Sequence, residues 1–434
     1  MARCCIVGGG PAGMVLGLVL ARCGVDVVVL EKHGDFLRDF RGDTVHASTL
    51  TLLDELGLGE RFAEIPHRLI ESAQVQLDSG NYTIGDLRRL PGPHKHIALA
   101  PQWDLLDLLA DAGRTEPGFE LRMSTEVTGL LRDSSNARTR KRFFGGRVVG
   151  VRYRTASGDT GELRAQLVVA CDGRGSATRD AAGLRARSFG APMDVWWFRL
   201  PRRAAEDPTG AVFRIGNGRA QVLIDRGDYW QCAYLIGKGS DARMRAQGIE
   251  TLQRAVAELL PWLAPRVSAI RSWDDVKLLQ VRLDRLRRWF TPGLLCIGDA
   301  AHAMSPVGGV GINLAVQDAV AAARILDGPL RRVSTSGGRV RQWTLARVQL
   351  RRWLPTALTQ AVQRLAHRVV IVRTLSRRAD ARRAEARPPL PIRLAQRFPA
   401  LQGVLARGVA IGVLPEHPPA PARRPHGVSA HPYT

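Results

Sequence analysis

Lysine is scarce in this chain. Lys32, Lys95, Lys141, Lys238 and Lys277 are the only five among 63 basic residues, so the formal charge of +23 is almost wholly arginine. With abundant alanine, glycine and proline, this bias has the look of GC-rich coding, and basicity alone then says little about a partner. Cysteine is also sparse. Cys4, Cys5, Cys23, Cys171, Cys232 and Cys296 form no CxxC pair and no metal-ligand spacing with histidine. That argues against a disulfide scaffold or zinc module and for a reducing cytoplasm. No window of about 18 residues is apolar without charges or breakers, so no transmembrane span is expected. The apolar stretch Met14–Ala21 behind Arg3 is not read as an export signal, because Gly8-Gly9-Gly10-Pro11 breaks it where such a segment must be continuous. Acids run short toward the C-terminus. From Arg331 onward, twenty arginines face only Asp380, Glu385 and Glu416, which places +17 of the +23 there. The body is close to neutral, and any polyanion-binding surface belongs to the tail.

What is present is a globular chain. Its 434 residues allow two to three domains, and 45% hydrophobic with 24% charged residues excludes wholesale disorder. Residues 1–31 read strand, tight turn, helix, strand. A helix is expected at Thr49–Leu56 with Ser48 as its N-cap, and another at Trp103–Ala112. Period-two strands follow at Phe119–Met123, Glu126–Leu131, Arg147–Thr155 and Gly161–Ala170, with a polar loop at Asp133–Gly146. Residues 190–240 are β-rich with Gly/Asp turns, as in an antiparallel sheet. Lys277–Leu283 and Gly293–Ile297 read as strands, the second leading into a helix from about Gly311 to Leu326. Ser334–Gly338 reads as a linker, helical patterns run through 340–384, and the Pro-rich end reads as disordered.

Three motifs carry chemistry. Gly8-x-Gly10-x-x-Gly13 follows strand Cys4–Val7 and opens a helix, with Glu31 closing the next strand. Glycines there permit a tight turn and close approach of the backbone to a pyrophosphate, the helix N-terminus offers N–H groups to phosphates, and Glu31 can accept from ribose hydroxyls. This context points to a dinucleotide. The second motif, Cys171-Asp172-Gly173-Arg174-Gly175-Ser176, ends the apolar strand Leu167–Ala170, and alone it is equally an ordinary strand-end turn. The third runs from Leu294 through Gly298-Asp299-Ala-Ala-His302 and Pro306-Val-Gly308-Gly309-Val-Gly311-Ile312-Asn313. It pairs one carboxylate with an unusual density of conformationally permissive glycines before a helix.

In this order the three motifs resemble those of FAD-dependent monooxygenases of the para-hydroxybenzoate hydroxylase type, the single-component aromatic hydroxylases, over about residues 1–330. The resemblance, not the spacing, implies FAD rather than NAD at the first motif. It implies that Asp299 holds the ribityl chain of FAD and that Asp172 with Gly173 serves the flavin and pyridine-nucleotide side. Arg41 would lie near the pyrophosphate and Gln102 against the cofactor. Gly298 would border the cofactor, Gly311, Ile312 and Asn313 would present a helix start to the reduced, anionic ring, Pro306 would line the ring face, and His46 would sit near flavin N5, where it could relay a proton, hold a water or merely bond its neighbours. A single GxGxxG leaves no separate NAD(P)H domain, so NAD(P)H would bind transiently. The flavin-halogenase signature Trp-x-Trp-x-Ile-Pro is absent, as Trp196-Trp197-Phe198-Arg199 does not match it.

The expectation is an α/β protein. A doubly wound, Rossmann-like FAD-binding domain of glutathione-reductase type would comprise 1–80, 97–182 and 277–335. An inserted antiparallel substrate domain would comprise 81–96 and 183–276, followed by a helical extension at 336–415 and a disordered tail at 416–434. Its function would be hydroxylation of a hydrophobic, aromatic or polycyclic compound with NAD(P)H and O2 through a hydroperoxyflavin, the alternative being a dehydrogenase or reductase on the same scaffold. Nucleic acid is not an expected partner. His302 is expected to be structural. Trp196, Trp197, Tyr229, Trp230 and Tyr234 would divide between core and pocket, and Arg199, Arg214 and Arg282 are weak candidates for anchoring an acidic substrate. In the tail, Leu354, Leu358, Ala361, Val362, Leu365, Val369 and Val372 recur at helical spacing. They would pack this stripe on the FAD domain or, in the sharper reading, rest 353–411 on an anionic membrane surface.

Overall fold

The computed structural model describes residues 2–37, 44–133, 146–203, 210–336, 339–372, 374, 388 and 390–424. Its first sheet is built from runs that are apolar on both faces, which suits a parallel strand covered on both sides. Ala2–Val7 lies at its centre, parallel to Val27–Leu30 on one side and Thr160–Ala170 on the other. Phe119–Arg122 extends the sheet beyond Val27–Leu30, and Leu294–Cys296 runs parallel beside Thr160–Ala170. Arg147–Thr155 pairs antiparallel with the first part of Thr160–Ala170, and Thr125–Asp133 pairs antiparallel with Arg147–Thr155.

The helices used below are α1 (Pro11–Arg22), α2 (Ala47–Glu55), α3 (Gln102–Arg114), α4 (Ile249–Leu259), α5 (Gly311–Ser336), α6 (Gln342–Ala366), α7 (Leu390–Arg397) and α8 (Pro399–Ala410). Helix α1 is buried continuously from Ala12 to Ala21, as an all-apolar helix must be, and shares the main core with α3 and α5. The N-cap of α2 is His46 rather than Ser48, and the Ser48 hydroxyl instead reaches another helix. Helix α5 runs to Ser336, so the expected linker begins as helix.

The second sheet is ordered Lys277–Leu279, Met193–Pro201, Tyr229–Gly237, Arg219–Asp225, Ala211–Gly216, Ser72–Leu77 and Gly80–Asp86. The hairpin 72–86 therefore belongs to it whole, ahead of the expected boundary at 81, and Lys277–Leu279 closes its far edge. Alternation divides its side chains. Trp196, Phe198, Trp230, Cys232 and Tyr234 pack on α4, whereas Met193, Val195, Ala233 and Leu235 pack on the opposite face.

Helix α6 corrects the expected packing of the tail. It buries Arg352, Thr356, Gln360 and Gln363 together with Leu345 and Val348. The apolar stripe faces outward, with Leu350 65%, Val362 65% and Leu365 61% exposed against 1% for Arg352. The polar face is the buried one because it meets backbone and charge: Arg352 Nε lies 2.9 Å from Asp318 Oδ1 in α5, and its Nη1 donates to the carbonyl of Leu414 at 3.3 Å. The segment to 424 is likewise packed where disorder was expected. Glu416 is buried, pairing with Arg351 at 2.6 Å and Arg324 at 2.8 Å, and Arg424 N donates to Glu55 O at 3.1 Å. Residues 425–434 lie outside the described residues. Helix α8 places Ala406 and Ala410 against Ala47, Leu87, Leu90 and Ile97.

Candidate functional site

The glycine-rich turn is shaped by contacts that exclude side chains. Gly8 has φ +103°, and a Cβ there would come within 2.6 Å of the Cys171 carbonyl oxygen; one on Gly13 would strike the Gly8 carbonyl. Gly10 is different. Its backbone is ordinary, it caps α1 without any side-chain cap, and a Cβ on it would meet nothing within 4 Å. No side chain caps the first-turn N–H groups of α1, and the space beside Gly10 is open, a combination that suits an anion. Glu31 is buried behind the turn, its Oε2 accepting from Gly9 N at 2.8 Å and Oε1 from His33 N at 3.1 Å. It braces the loop whatever else it accepts.

The close fit of Gly8 on Cys171 brings the first motif against the second. There the Asp172 carboxylate accepts from Ser176 Oγ at 2.5 Å and Thr178 N at 3.0 Å, capping the short helix Ala177–Ala181. Gly173, with φ +81°, again faces open space. Arg174 joins this motif to the third through an ion pair with Asp299 at 3.4 Å. Arg174 stands inside the second motif, but only its pairing with Asp299 marks it as part of the site.

The third motif is held from below by a buried charge cluster. Asp318 Oδ2 accepts from Gly298 N at 3.1 Å and lies 2.5 Å from His302 Nε2. Burial alone would raise the Asp318 carboxyl; His302 and Arg352 outweigh it and hold the group below the usual carboxylate range. His302 is structural, as expected. Asn313, in the first turn of α5, accepts on Oδ1 from Ser48 Oγ at 2.7 Å and Thr49 Oγ1 at 2.9 Å, tying α2 to the loop. Thr44 Oγ1 donates to Gly309 O at 3.2 Å. Gly311 and Ile312 remain half-buried at the helix start, and Pro306 is half-buried in the loop before it.

His46 sits between these pieces, fully buried, with neither ring nitrogen hydrogen-bonded among the described residues. Burial pushes its pKa down to about 4, an effect that the nearby backbone of Gly308 and Thr44 only partly offsets without a well-formed bond. The imidazole is therefore neutral at ordinary pH, a buried donor and acceptor without partners. Gln102 is the first residue of α3 and half-buried. Arg41 lies outside the described residues. Three separated motifs, an uncapped helix, open space beside Gly10 and Gly173, and an orphaned imidazole together fit an extended dinucleotide with a polar ring.

The arginines weighed as substrate anchors are otherwise engaged or outward. Arg214 donates to the Leu259 carbonyl at 3.2 Å and pairs with Asp78, Arg199 lies 4.8 Å over the Tyr229 ring, and Arg282 is exposed. Trp196, Trp230 and Tyr234 are core; Trp197 alone of the aromatic candidates joins the sheet face that meets Val307 of the third motif. No group of three or more metal-ligating side chains occurs among the described residues.

Comparison with known proteins agrees with this geometry. Residues 1–336 match the family described as FAD binding domain. The chain is 32% identical over 407 residues to 6-methylpretetramide 4-monooxygenase of Streptomyces rimosus, covering 93% of this chain and 91% of that protein. It is 27% identical over 333 residues to a rifampicin monooxygenase of Streptomyces venezuelae, covering 72% of this chain but 61% of that longer protein. The fold superposes on the anhydrotetracycline hydroxylase OxyS of Streptomyces rimosus with a TM-score of 0.69 at 22% identity, covering 94% of this chain and 75% of that one. The chain belongs to the family of FAD-dependent monooxygenases, enzymes that use NAD(P)H and O2 to hydroxylate hydrophobic aromatic compounds.

Proposed function

We propose that this monooxygenase hydroxylates a polycyclic aromatic compound of the class to which 6-methylpretetramide belongs, held between the apolar face of the antiparallel sheet and the loop around Pro306. The observation that carries this reading is the cluster in which Met193, Val195, Ala233, Leu235 and partly buried Trp197 meet Val307. A broad apolar wall opposite a glycine-rich loop suits a flat hydrophobic ligand.

Bound FAD would supply the oxygen chemistry, with NAD(P)H as a transient reductant. The chain's residues bind and orient. Gly8, Gly10 and Gly13 let the backbone and α1 receive the pyrophosphate, and Glu31 fixes that turn and is positioned to accept from ribose. Asp299, steadied by Arg174, holds the ribityl chain, and Gln102 and Gly173 border the cofactor. Gly298 shapes the turn before Asp299, and Gly311, Ile312 and Asn313 direct N–H dipoles toward negative charge at the pyrimidine end. Pro306 lines the ring face, and His46 holds or moves a proton or fixes a water there. The parallel sheet with α1, α3 and α5 forms the cofactor domain, and the second sheet with α4 the substrate domain. The test is NAD(P)H oxidation with candidate polycyclic phenols under labelled O2. Label in the product supports the reading, whereas substrate turnover without label supports a dehydrogenase.

We also infer that the outward face of α6 meets an anionic membrane surface. No helix among the described residues is long and apolar enough to cross a membrane. Support comes from the exposed Trp343, Leu350, Leu354, Leu358 and Leu365 beside Arg347, Arg364 and Arg368, with no acid between Val340 and Val372. Like charge disfavours a second copy there, and polybasic segments gain on the order of 1 kcal/mol per arginine near anionic lipid. Full-length protein should sediment with phosphatidylserine vesicles in a salt-sensitive manner, and less so as the double variant Leu350→Glu, Leu365→Glu. Equal failure of both to sediment overturns it.

A further inference from the structure

Pro306 is the residue through which the third motif would face the flavin ring, and proline has no N–H with which to anchor itself. The backbone on either side is held from outside the motif. Gln363 of α6, buried, donates through Nε2 to Ser305 O and to Val307 O, each at 2.9 Å, and accepts on Oε1 from Ser305 N at 3.1 Å. One side-chain amide thus makes three bonds that straddle Pro306. Two further residues on the same helical face act alongside. Gln360 Nε2 donates to Asp284 O at 2.7 Å and Ala303 O at 3.3 Å, and His367 Nε2 lies 2.8 Å from Ser305 Oγ. Beyond them Ile371, in the turn His367–Val372, is buried in the apolar cluster with Val307 and the substrate-side sheet face. All four residues lie past the segment 1–336 that matches the family.

We propose that Gln363 is a positioning residue for the hydroxylation: by clamping Ser305 and Val307 it sets where Pro306 stands against the flavin ring, so that α6 forms part of the active-site wall. This explains why α6 buries glutamines and leaves leucines in the open. A buried amide is favourable where its bonds are met, as those of Gln363 are on the Ser305 and Val307 backbone; Gln360 bonds through Nε2 alone, its Oε1 having no partner among the described residues. Gln363 bonds the backbone of Ser305 and Val307 and none of the residues assigned to the pyrophosphate or ribityl chain, so its loss should leave cofactor affinity nearly intact while changing the ring's surroundings. Ile371, in the turn that follows α6, packs in the apolar cluster with Val307 and would contribute to substrate selection.

The inference rests on the reading that the Pro306 loop faces the flavin, and the experiment separates the two. Full-length holoenzyme is prepared as wild type, Gln363→Leu, Gln363→Glu and Pro306→Ala. Three readouts are the visible circular dichroism of bound flavin, FAD affinity by fluorescence titration, and peroxide released per NAD(P)H oxidised. Gln363→Leu should change the dichroism, keep FAD affinity near wild type, and lower coupled hydroxylation by roughly tenfold or more, as expected for a small misplacement. Gln363→Glu keeps the acceptor and, only when protonated, one donor, so its spectrum should return toward wild type on acidification. If Pro306→Ala alters the dichroism and neither Gln363 variant does, the positioning role is overturned and the loop reading stands. If no variant alters it, both fall. Should Gln363→Leu not fold, the pH dependence of Gln363→Glu decides: a spectrum that stays at wild type at every pH overturns the proposal.

Discussion

Arg174 Nε lies 3.4 Å from Asp299 Oδ2, both side chains about a quarter to a third exposed. The pair joins the second and third motifs, which follow the neighbouring parallel strands Thr160–Ala170 and Leu294–Cys296. Asp299→Ala should remove a charge-assisted bond to the ribityl chain, worth about 1.5–3 kcal/mol, and weaken FAD binding by roughly tenfold or more. Fluorescence titration of the apoprotein measures it, and wild-type affinity would remove Asp299 from the cofactor site.

Gly10→Val separates folding from binding. The position has ordinary backbone angles and free space around a Cβ, so the variant should melt near the wild-type temperature. Its side chain would occupy the room the pyrophosphate needs, and FAD should be lost. A folded variant that retains FAD would show that the ligand passes elsewhere.

Asn313→Asp tests the helix start. A carboxylate can still accept from Ser48 and Thr49, so the tie between α2 and α5 survives. The added negative charge should lower the flavin midpoint potential and slow reduction. Spectroelectrochemistry reads it, and an unchanged potential would mean that this turn does not face the pyrimidine end.

His46 sets a pH dependence. Its folded pKa of about 4 lies below the ordinary 6.5, so between these values the unfolded chain binds a proton that the folded chain refuses. Stability from this group is therefore full above about pH 6.5 and is lost on acidification toward 4, by up to about 3 kcal/mol. Urea denaturation of the apoprotein across that window should show a shallower decline for His46→Gln. Parallel curves would show that the ring gains a proton acceptor on acidification.

Arg352→Met tests the buried cluster. Asp318 would keep His302 but lose the guanidinium at 2.9 Å, and breaking a buried pair from one side costs about 3–5 kcal/mol. Chemical denaturation should show that loss. A change below about 1 kcal/mol would mean that His302 alone compensates the carboxylate.

Local pattern was enough for the cofactor half of this protein. Strands apolar on both faces, glycines where a side chain would strike the Cys171 or Gly8 carbonyl, and a carboxylate at the end of a strand are each written in a few consecutive residues, because the constraint acts within a turn or between adjacent strands. Alternation in the second sheet was equally readable, but not which face met α4 and which met Val307, since two faces of a strand are equivalent until something packs on one. In the tail, helical spacing located α6 yet gave the wrong inside. An apolar stripe is ordinarily the buried one, and here the other face found Asp318 and the Ser305–Val307 backbone, partners supplied only by tertiary structure. The strand pattern was enough for the doubly wound frame, and the order of the three motifs for the resemblance that implies FAD and its oxygen chemistry. Which distant segments meet is what brings Arg174 to Asp299, buries His46 without a hydrogen-bond partner among the described residues, and sets Gln363 on the loop.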